Sequence, residues 1–529
     1  MSQWDAQAIA LGIPEDVLME NAARAAFSCL KRHYAEPLAG KSALLFAGGG
    51  NNGGDAFCMA RLLQEAGAEP LVVCTRPPRH EGAAKRWYEV MLRLGIPVAG
   101  ADEWSFPTVG RSPDIIIDGL LGTGFKGALR EKEMRLVEGI NHARGAFVLS
   151  IDIPSGLDGM TGLPCPMAVR ADATVTFQAP KPGLILPAAS CHTGILEVHP
   201  IGMPRQVCSP ASFRTWRMPC QQADGCEPWT VCRGGEPAGF FLRSRPEAAW
   251  SPKHKGEAGK VLVIGGCRAY AGAPCLAALA AMRAGCGLAA VAAPDPVQAV
   301  LRHICPAAIS LAFRDDAEEW QPGHTGPVIA SLGKYDALVL GPGLGRGEAE
   351  SALVEAVLGA EARPPAVIDA DALYALSARK ELFGRLGPRD ILTPHPGEAA
   401  SLLGCSAAEV QSDRFEALQK LSALSPAVCV LKGEGTLIAA QGEVPVLSPW
   451  AVPQLAVAGS GDVLAGVAAA FLARGLAPVE SATLAVWTHA LAGVSLAGKF
   501  PMRGNSPVDI ADAIPIGMQW AGLPPVRNA

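Results

Sequence analysis

The stretch SALLFAGGGNNGGDAFCMARLLQEAG, residues 42–67, decides the fold of the first half of the chain. SALLFA at 42–47 is a short continuous apolar run, the pattern of a strand buried on both faces. GGGNNGGD at 48–55 is a glycine-rich turn, and AFCMARLLQEAG has helical composition. Strand, glycine loop and helix in that order form one unit of a doubly wound α/β sheet. The loop is not a P-loop, because no Gly-Lys-Ser/Thr ends it, and it lacks the dinucleotide fingerprint. What it offers is main-chain amides, two side-chain carbonyls at Asn51 and Asn52, and the carboxyl of Asp55. Amides suit a phosphate and oxygens suit a hard cation. An ordinary glycine-rich turn is the alternative for this loop taken alone.

Outward from this unit the pattern repeats. Upstream, residues 3–34 read as helices, with Pro14, Glu15 and Asp16 marking a start. VLMENAARAAF carries an amphipathic stripe with Asn21 and Arg24 on its polar side. Downstream, PLVVCT at 70–75 reads as a strand, followed by a helical stretch to residue 94. DIIID at 114–118 is a buried strand that puts Asp118 at its carboxyl end, ahead of GLLGTGFKG at 119–127. AFVLSIDIPSGLDGMTG at 146–162 places Asp152 and Ser155 after a further strand, and ATVTF at 173–177 and ILEV at 195–198 add two more. Ligands of open α/β sheets bind beyond the carboxyl ends of the strands. Asn52, Asp118 and Ser155 therefore stand as oxygen donors and Asp152 as a candidate acid/base. Each carboxylate alone could cap a helix or brace a loop; their convergence at strand ends points to a site.

NNGGD, DGLLGTGFKG and SIDIPSG, with VLMENAARA upstream, resemble the YjeF N-terminal family, the NAD(P)H-hydrate epimerases, across residues 1–203. The resemblance implies that Asn52, Asp118 and Ser155 hold a potassium ion. It implies that Asn51, Asn52, Gly53, Gly54 and Asp55, with Gly122, Thr123, Gly124, Phe125, Lys126, Gly127 and Ala128, cradle the nucleotide, and that Asp152 faces the damaged nicotinamide ring. Two positions depart from the family pattern: Ala56 stands where glycine is usual, and Gly49 where proline is frequent.

Composition agrees with a large folded chain. Of 529 residues, 49% are hydrophobic and 18% charged, enough for more than one core and against wholesale disorder. A net charge of −5 leaves no basic excess for nucleic-acid phosphates, so no nucleic-acid partner is expected. The first residues carry Asp5, Glu15, Asp16 and Glu20, unlike a signal peptide. The apolar stretches near 275–293 and 463–473 are alanine-rich and read as buried elements rather than membrane spans. The 15 cysteines are scattered, many in apolar runs as Cys29, Cys58 and Cys429 are, which fits reduced thiols in a cytoplasmic protein.

Residues 204–244 lose the strand–helix pattern and read as an irregular connector rich in Pro, Gly, Cys and Trp. Cys208, Cys220, Cys226 and Cys232 suggest zinc, but no Cys-x-x-Cys pair occurs among them. A linker packed through Trp216 and Trp229 is the plainer reading.

From 245 to 525 strands again alternate with helices. KVLVIGG at 260–266, GLAAVAAP at 287–294, DALVLGPGLGRG at 336–347, AVIDADAL at 366–373, ILTPHPGE at 391–398 and VCVLKGEGT at 428–436 each put polar or glycine residues after a strand. AVAGSGDVLAGVAAAFLARG at 456–475 is a small-residue loop feeding a helix, and a final helix lies near 480–496. The helix start favours an anion, and Asp462 stands where a base could meet a hydroxyl. Alone, Asp462 could be a cap, His395 structural and Lys432 a solvated loop lysine. Together they read as a nucleotide-dependent site with Mg²⁺ as helper.

The ordered motifs HKGEAGKVLVIGG, LGPGLG, IDADAL, LTPHPGE, LKGEGT and GSGDVLAG resemble the YjeF C-terminal, ribokinase-like family, the ADP-dependent NAD(P)H-hydrate dehydratases. That resemblance implies contacts from Gly345, His395 and Asp462 to the hydrated nucleotide, with Asp462 as base. It implies ADP binding by Lys432, Gly433, Glu434, Gly435 and Thr436 and by Ala458, Gly459, Ser460 and Gly461. The run VPQLAV at 452–457 keeps Pro453 but departs from the family's Asn-Pro-Gly-Met-Ala-Thr-like loop. The expected fold is two three-layer αβα domains, Rossmann-like then ribokinase-like. The expected function is epimerisation of R- and S-NADHX or NADPHX and ADP-driven dehydration of the S form, in a homo-oligomer. The alternative is a vitamin or sugar kinase carrying a non-catalytic nucleotide-binding module.

Overall fold

The computed structural model describes residues 2–204 apart from 79, 80, 105–112 and 144; residues 207, 214, 215, 232, 233, 236 and 237; and residues 256–521 apart from 312, 314, 316 and 449. The chain divides into two compact units, Met1–Gly239 and Phe240–Ala529. The division falls within the stretch expected to connect two domains. The expectations for zinc at Cys208, Cys220, Cys226 and Cys232, and for packing by Trp216 and Trp229, concern side chains outside the described residues.

The first unit is built on strands β1 (Ser42–Ala47), β2 (Glu69–Cys74), β3 (Val98–Gly100), β4 (Ile115–Gly119), β5 (Phe147–Ile151), β6 (Ala173–Phe177) and β7 (Ile195–His199). They lie in the order β3-β2-β1-β4-β5-β6-β7, and all neighbours are parallel. Both faces are covered, which is why the strands read as unbroken apolar runs. Leu45, Ile115 and Ile117 pack under helices Glu15–His33 and Asn51–Glu65. Leu44, Phe46 and Ile116 pack under helix Glu131–His142. The chain leaves β1 toward β3 and returns to β4 on the other side of β1, so the loops after β1 and β4 part at the switch point where such sheets bind ligands. The two loops touch there. Gly48 donates its N–H to Gly119 at 3.1 Å, and a Cβ at Gly48 would lie 2.1 Å from the Leu120 carbonyl oxygen.

The second unit follows the same logic with β8 (Lys260–Ile264), β9 (Leu288–Ala292), β10 (Ile309–Leu311), β11 (Ala337–Leu340), β12 (Ala366–Ile368), β13 (Ile391–Leu392), β14 (Val428–Leu431), β15 (Leu437–Ala439) and β16 (Val446–Leu447). Strands β10-β9-β8-β11-β12-β13-β14 are parallel neighbours in that order, and β15 and β16 extend the sheet antiparallel. The expected final helix is present as Pro478–Leu496, but it is not the last: Pro507–Trp520 follows. Its start was legible in Ser506 and Asp509, which cap each other's backbone N–H groups, while Pro515 inside it broke the helical reading. No described helix is long and apolar enough to cross a membrane.

The alanine-rich helix Ser460–Ala473 packs against Gly272–Arg283. Small residues permit a close crossing, and at Gly466 the two backbones meet: a Cβ there would sit 2.1 Å from the Ala277 carbonyl oxygen. Gly466→Ala should therefore push the two helices apart and cost about 1–3 kcal/mol despite alanine's better helix propensity. Urea unfolding followed by circular dichroism measures it; a gain in stability would contradict this packing.

Candidate active sites

In the first unit, a cleft of about 720 Å³ opens at the switch point. Gly48–Asn52 and Asp55 line it from the β1 side, and residues 120–126 with Ala128 from the β4 side. Of the residues expected to cradle the nucleotide, Gly53, Gly54 and Gly127 do not line the cleft. Gly53 and Gly54 are packing positions, since a Cβ would lie 1.8 Å from the Gly48 carbonyl oxygen or 2.6 Å from Met19 Sδ. Arg76, Lys126, Arg130 and Lys132 add positive charge to the walls near the start of helix Asn51–Glu65, where an anion is favoured.

The oxygen donors expected to converge do so around Leu121. Asp118 is fully buried and accepts hydrogen bonds from Ser150 Oγ (2.8 Å), Ser155 N (2.8 Å) and Ser155 Oγ (2.5 Å). Burial pushes its carboxyl up, and the bonds from Ser155 and Ser150 pull it back only in part. Asn52 Nδ2 donates to the Leu121 carbonyl at 2.9 Å, and Leu121 N donates to Ser155 Oγ at 3.0 Å. Asn52 Oδ1 is buried without a hydrogen-bond partner. A buried unpaired oxygen close to a carboxylate and a hydroxyl is a donor set that fits a hard monovalent cation.

Asp152 follows β5 with φ 67°, a left-handed conformation that aspartate tolerates better than most residues. It pairs with the buried ammonium of Lys181, which also donates to Thr176 Oγ1 at 2.7 Å, and its other oxygen accepts from Thr123 N at 3.3 Å. Asp55 lies nearby, held well above the usual carboxylate range by burial and by the charges of Asp152 and Asp5. Sequence reasoning missed Lys181. Its signal was a lysine in QAPKPG, the segment that follows the strand ATVTF.

In the second unit, the expected residues gather at the carboxyl ends of β11 to β14. Asp369 follows β12, and Lys432, which follows β14, donates to it at 2.7 Å; Glu398 stands 3.8 Å from the same ammonium. A Cβ at Gly461 would lie 3.3 Å from Lys432 Nζ, so the ammonium abuts the first turn of helix Ser460–Ala473, which carries Asp462. Lys432 thus pairs with Asp369 and lies beside the helix turn that carries Asp462. Burial, then the Asp369 charge, pushes the Asp462 carboxyl up to about 8 against the pull of Lys432. Burial likewise takes Glu398 to about 7. Three carboxyls around one ammonium in this cluster fit the addition of a divalent cation.

Gly345, at φ 100°, donates its N–H to Asp371 at 3.0 Å, and Arg346 Nε donates to the same carboxylate at 2.8 Å. His395 caps helix Pro396–Leu403, its Nδ1 accepting from Gly397 N (3.0 Å) and Glu398 N (3.3 Å). Nε2 is therefore the protonated nitrogen, and burial with the Lys432 charge lowers the ring's affinity for a second proton. His395, Arg346, Tyr374 and Glu398 line a smaller cavity of about 200 Å³. Glu398, also missed, was legible as the third helical residue after a capping His395. Gly433 and Gly435 take φ of 126° and 65°, and buried Arg414 props their loop by donating to the carbonyls of Leu431, Lys432 and Gly435. Ala458 is exposed, Gly459 takes φ 91°, and Ser460 Oγ turns inward to within 3.1 Å of His489 Nε2.

Asp369 is buried and the Lys432 side chain only 16% exposed, so breaking the pair strands a charge. Lys432→Met should cost about 3–5 kcal/mol of the second unit's stability. The double variant Lys432→Met/Asp369→Leu should recover most of that in urea unfolding; additive losses would contradict the pairing.

Comparisons with known proteins match both halves. Residues 15–183 match the family described as YjeF-related protein N-terminus, and residues 261–516 the family described as NAD(P)H-hydrate dehydratase. The second match is to a dehydratase, not to a vitamin or sugar kinase. The bifunctional NAD(P)H-hydrate repair enzyme of Moorella thermoacetica is 36% identical over 510 residues, covering 95% of this chain and 92% of its own. That of Escherichia coli is 32% identical over 504 residues, covering 94% and 89%. The crystal structure of an ADP/ATP-dependent NAD(P)H-hydrate dehydratase from Bacillus subtilis, obtained with ATP and Mg²⁺, is 26% identical with a TM-score of 0.43 over 51% of this chain and 92% of its own. With nearly its whole length aligned at such identity, the chain belongs to the family of bifunctional NAD(P)H-hydrate repair enzymes.

Proposed function

We propose that the first unit interconverts the two epimers of hydrated NADH or NADPH and that the second dehydrates the S epimer at the expense of ADP. The observation that carries the second role is a carboxyl, Asp462, held near neutrality at a helix start beside Lys432 and Asp369. A base poised close to working pH is the efficient kind.

In the first unit the dinucleotide lies in the cleft with its phosphates toward the start of helix Asn51–Glu65 and residues 122–128. Asp152 moves protons at the hydrated ring, and Lys181 positions it and balances its charge. Asn52, Asp118 and Ser155 would hold potassium, which would offset the charge of Asp118; the unpaired Asn52 Oδ1 supports this. In the second unit Asp462 takes the proton of the ring hydroxyl as that oxygen bonds to the β-phosphorus of ADP and AMP leaves. The ring nitrogen's lone pair then expels phosphate, and loss of a proton from the adjacent carbon restores the dihydronicotinamide. Gly345 and His395 bind the hydrated nucleotide. The loops 432–436 and 458–461 bind ADP, chiefly through main-chain amides, since Ser460 Oγ is engaged with His489. Magnesium would enter with the nucleotide beside Asp369 and Asp462 and shield the phosphate charge. One half supplies the epimer the other consumes.

The test is recovery of NADH from mixed R- and S-NADHX with ADP, magnesium and potassium, followed by near-ultraviolet absorbance. Wild type should recover the full amount. Asp152→Ala should recover only the S share quickly, and Asp462→Asn should lose about 10²–10⁴-fold in dehydration rate. No recovery by the wild type would sink the reading. The ionised form of Asp462 is the base, so dehydration should rise with pH and level off above about 8. Asp369→Asn removes a negative neighbour and should move that limb to lower pH; an unmoved limb assigns it to another group.

A further inference from the structure

The end of helix Glu15–His33 and the edge strand β7 bring a second group of side chains together, outside both candidate active sites. Cys29 and His33 are four apart on one helix face, and Glu197 and His199 are two apart on one strand face. Cys29 Sγ, a ring nitrogen of His33 and a carboxylate oxygen of Glu197 all lie within 4.8 Å of one another. Cys29 is buried, and the side chains of His33 and Glu197 are only 13% and 11% exposed. From this arrangement we propose that the chain binds a zinc ion through Cys29, His33 and Glu197, in a site that ties the helix to the edge of the sheet.

The ligand set is sulfur, imidazole and carboxylate, the three donors zinc prefers. Outer partners are already in place. The ligand atoms Glu197 Oε1 and His33 Nε2 lie 2.7 Å apart, and on the outer side Glu197 Oε2 lies 2.7 Å from His199 Nε2 while Arg32 pairs with the same carboxylate. Such partners orient a ligand and set its charge. On binding, the Cys29 thiol gives its proton to solvent and the thiolate ligates the metal. Thiolate, Glu197 carboxylate, Arg32 guanidinium and Zn²⁺ then sum to a single positive charge. His199, more open at 27% exposed, marks the side from which the ion enters and a water completes the shell.

The experiment uses the full chain without an affinity tag, stripped by chelator, given one equivalent of zinc and passed through a desalting column. One zinc per chain should remain, and it should raise the unfolding temperature. Cys29→Ser and His33→Gln should each abolish both effects. Cobalt(II) in place of zinc should give thiolate-to-metal charge-transfer absorption in the wild type that Cys29→Ser removes, a readout that needs no activity and works even where His33→Gln folds poorly. Absence of retained zinc and of that absorption in the wild type overturns the proposal. So does undiminished zinc in the variants, which would move the metal to other cysteines.

Discussion

A carboxylate taken out of water must find donors or a counter-ion, and both units are arranged around that requirement. Asp118 meets it with three hydrogen bonds from Ser150 and Ser155, which fixes the loop after β5 against the end of β4. Asp369 meets it with Lys432, which fixes the loop after β14 against the end of β12. Asp390 meets it with Arg363 and the N–H groups of Ala366 and Gly387, away from either cleft. The first two lie at carboxyl ends of parallel strands, where neighbouring loops converge. The charge that would be a liability in the core becomes the device that assembles a site.

Much of this is legible in the sequence alone. The apolar runs 42–47 and 115–117 announced strands covered on both faces, and the glycines after them announced loops in close contact. The residues that escaped reading are those whose role depends on a distant partner. Lys181 is an unremarkable lysine until Asp152, nearly thirty positions earlier, is folded beside it. Glu398 reads as a capping residue, which it is, and only the approach of Lys432 adds its second role. The short β3, β10 and β16 have two or three residues each, too few for a periodic signal. Gly53 and Gly54 show the converse: they belong to the motif, yet they serve packing.

The departures from family pattern have local physical accounts. Ala56 is fully buried, and its methyl group fits because position 119 has none: a Cβ built on Gly119 would lie 2.7 Å from the Ala56 Cβ. The run 452–457 forms a turn whose buried Gln454 donates to the Phe500 carbonyl at 2.8 Å and whose own carbonyl accepts from Asn505 at 2.9 Å. The loop is thus anchored to the segment ahead of the last helix, so its shape is set by contacts within the second unit.

The crowding of acids around Lys432 carries a thermodynamic consequence. A carboxyl whose proton affinity is higher folded than unfolded makes the folded state the better proton binder, so its contribution to stability falls as pH rises from the ordinary carboxylate range to its folded value. Asp462 and Glu398 both behave this way, toward about 8 and about 7. Buried His489, pushed down to about 4, acts in the opposite sense, withdrawing stability as pH falls below the ordinary histidine range. The second unit is therefore squeezed from both sides, and the ionisation that arms Asp462 draws on the free energy of folding. A cation or nucleotide that settles among those acids returns some of it, making occupancy a stabiliser of the fold as well as a step in turnover.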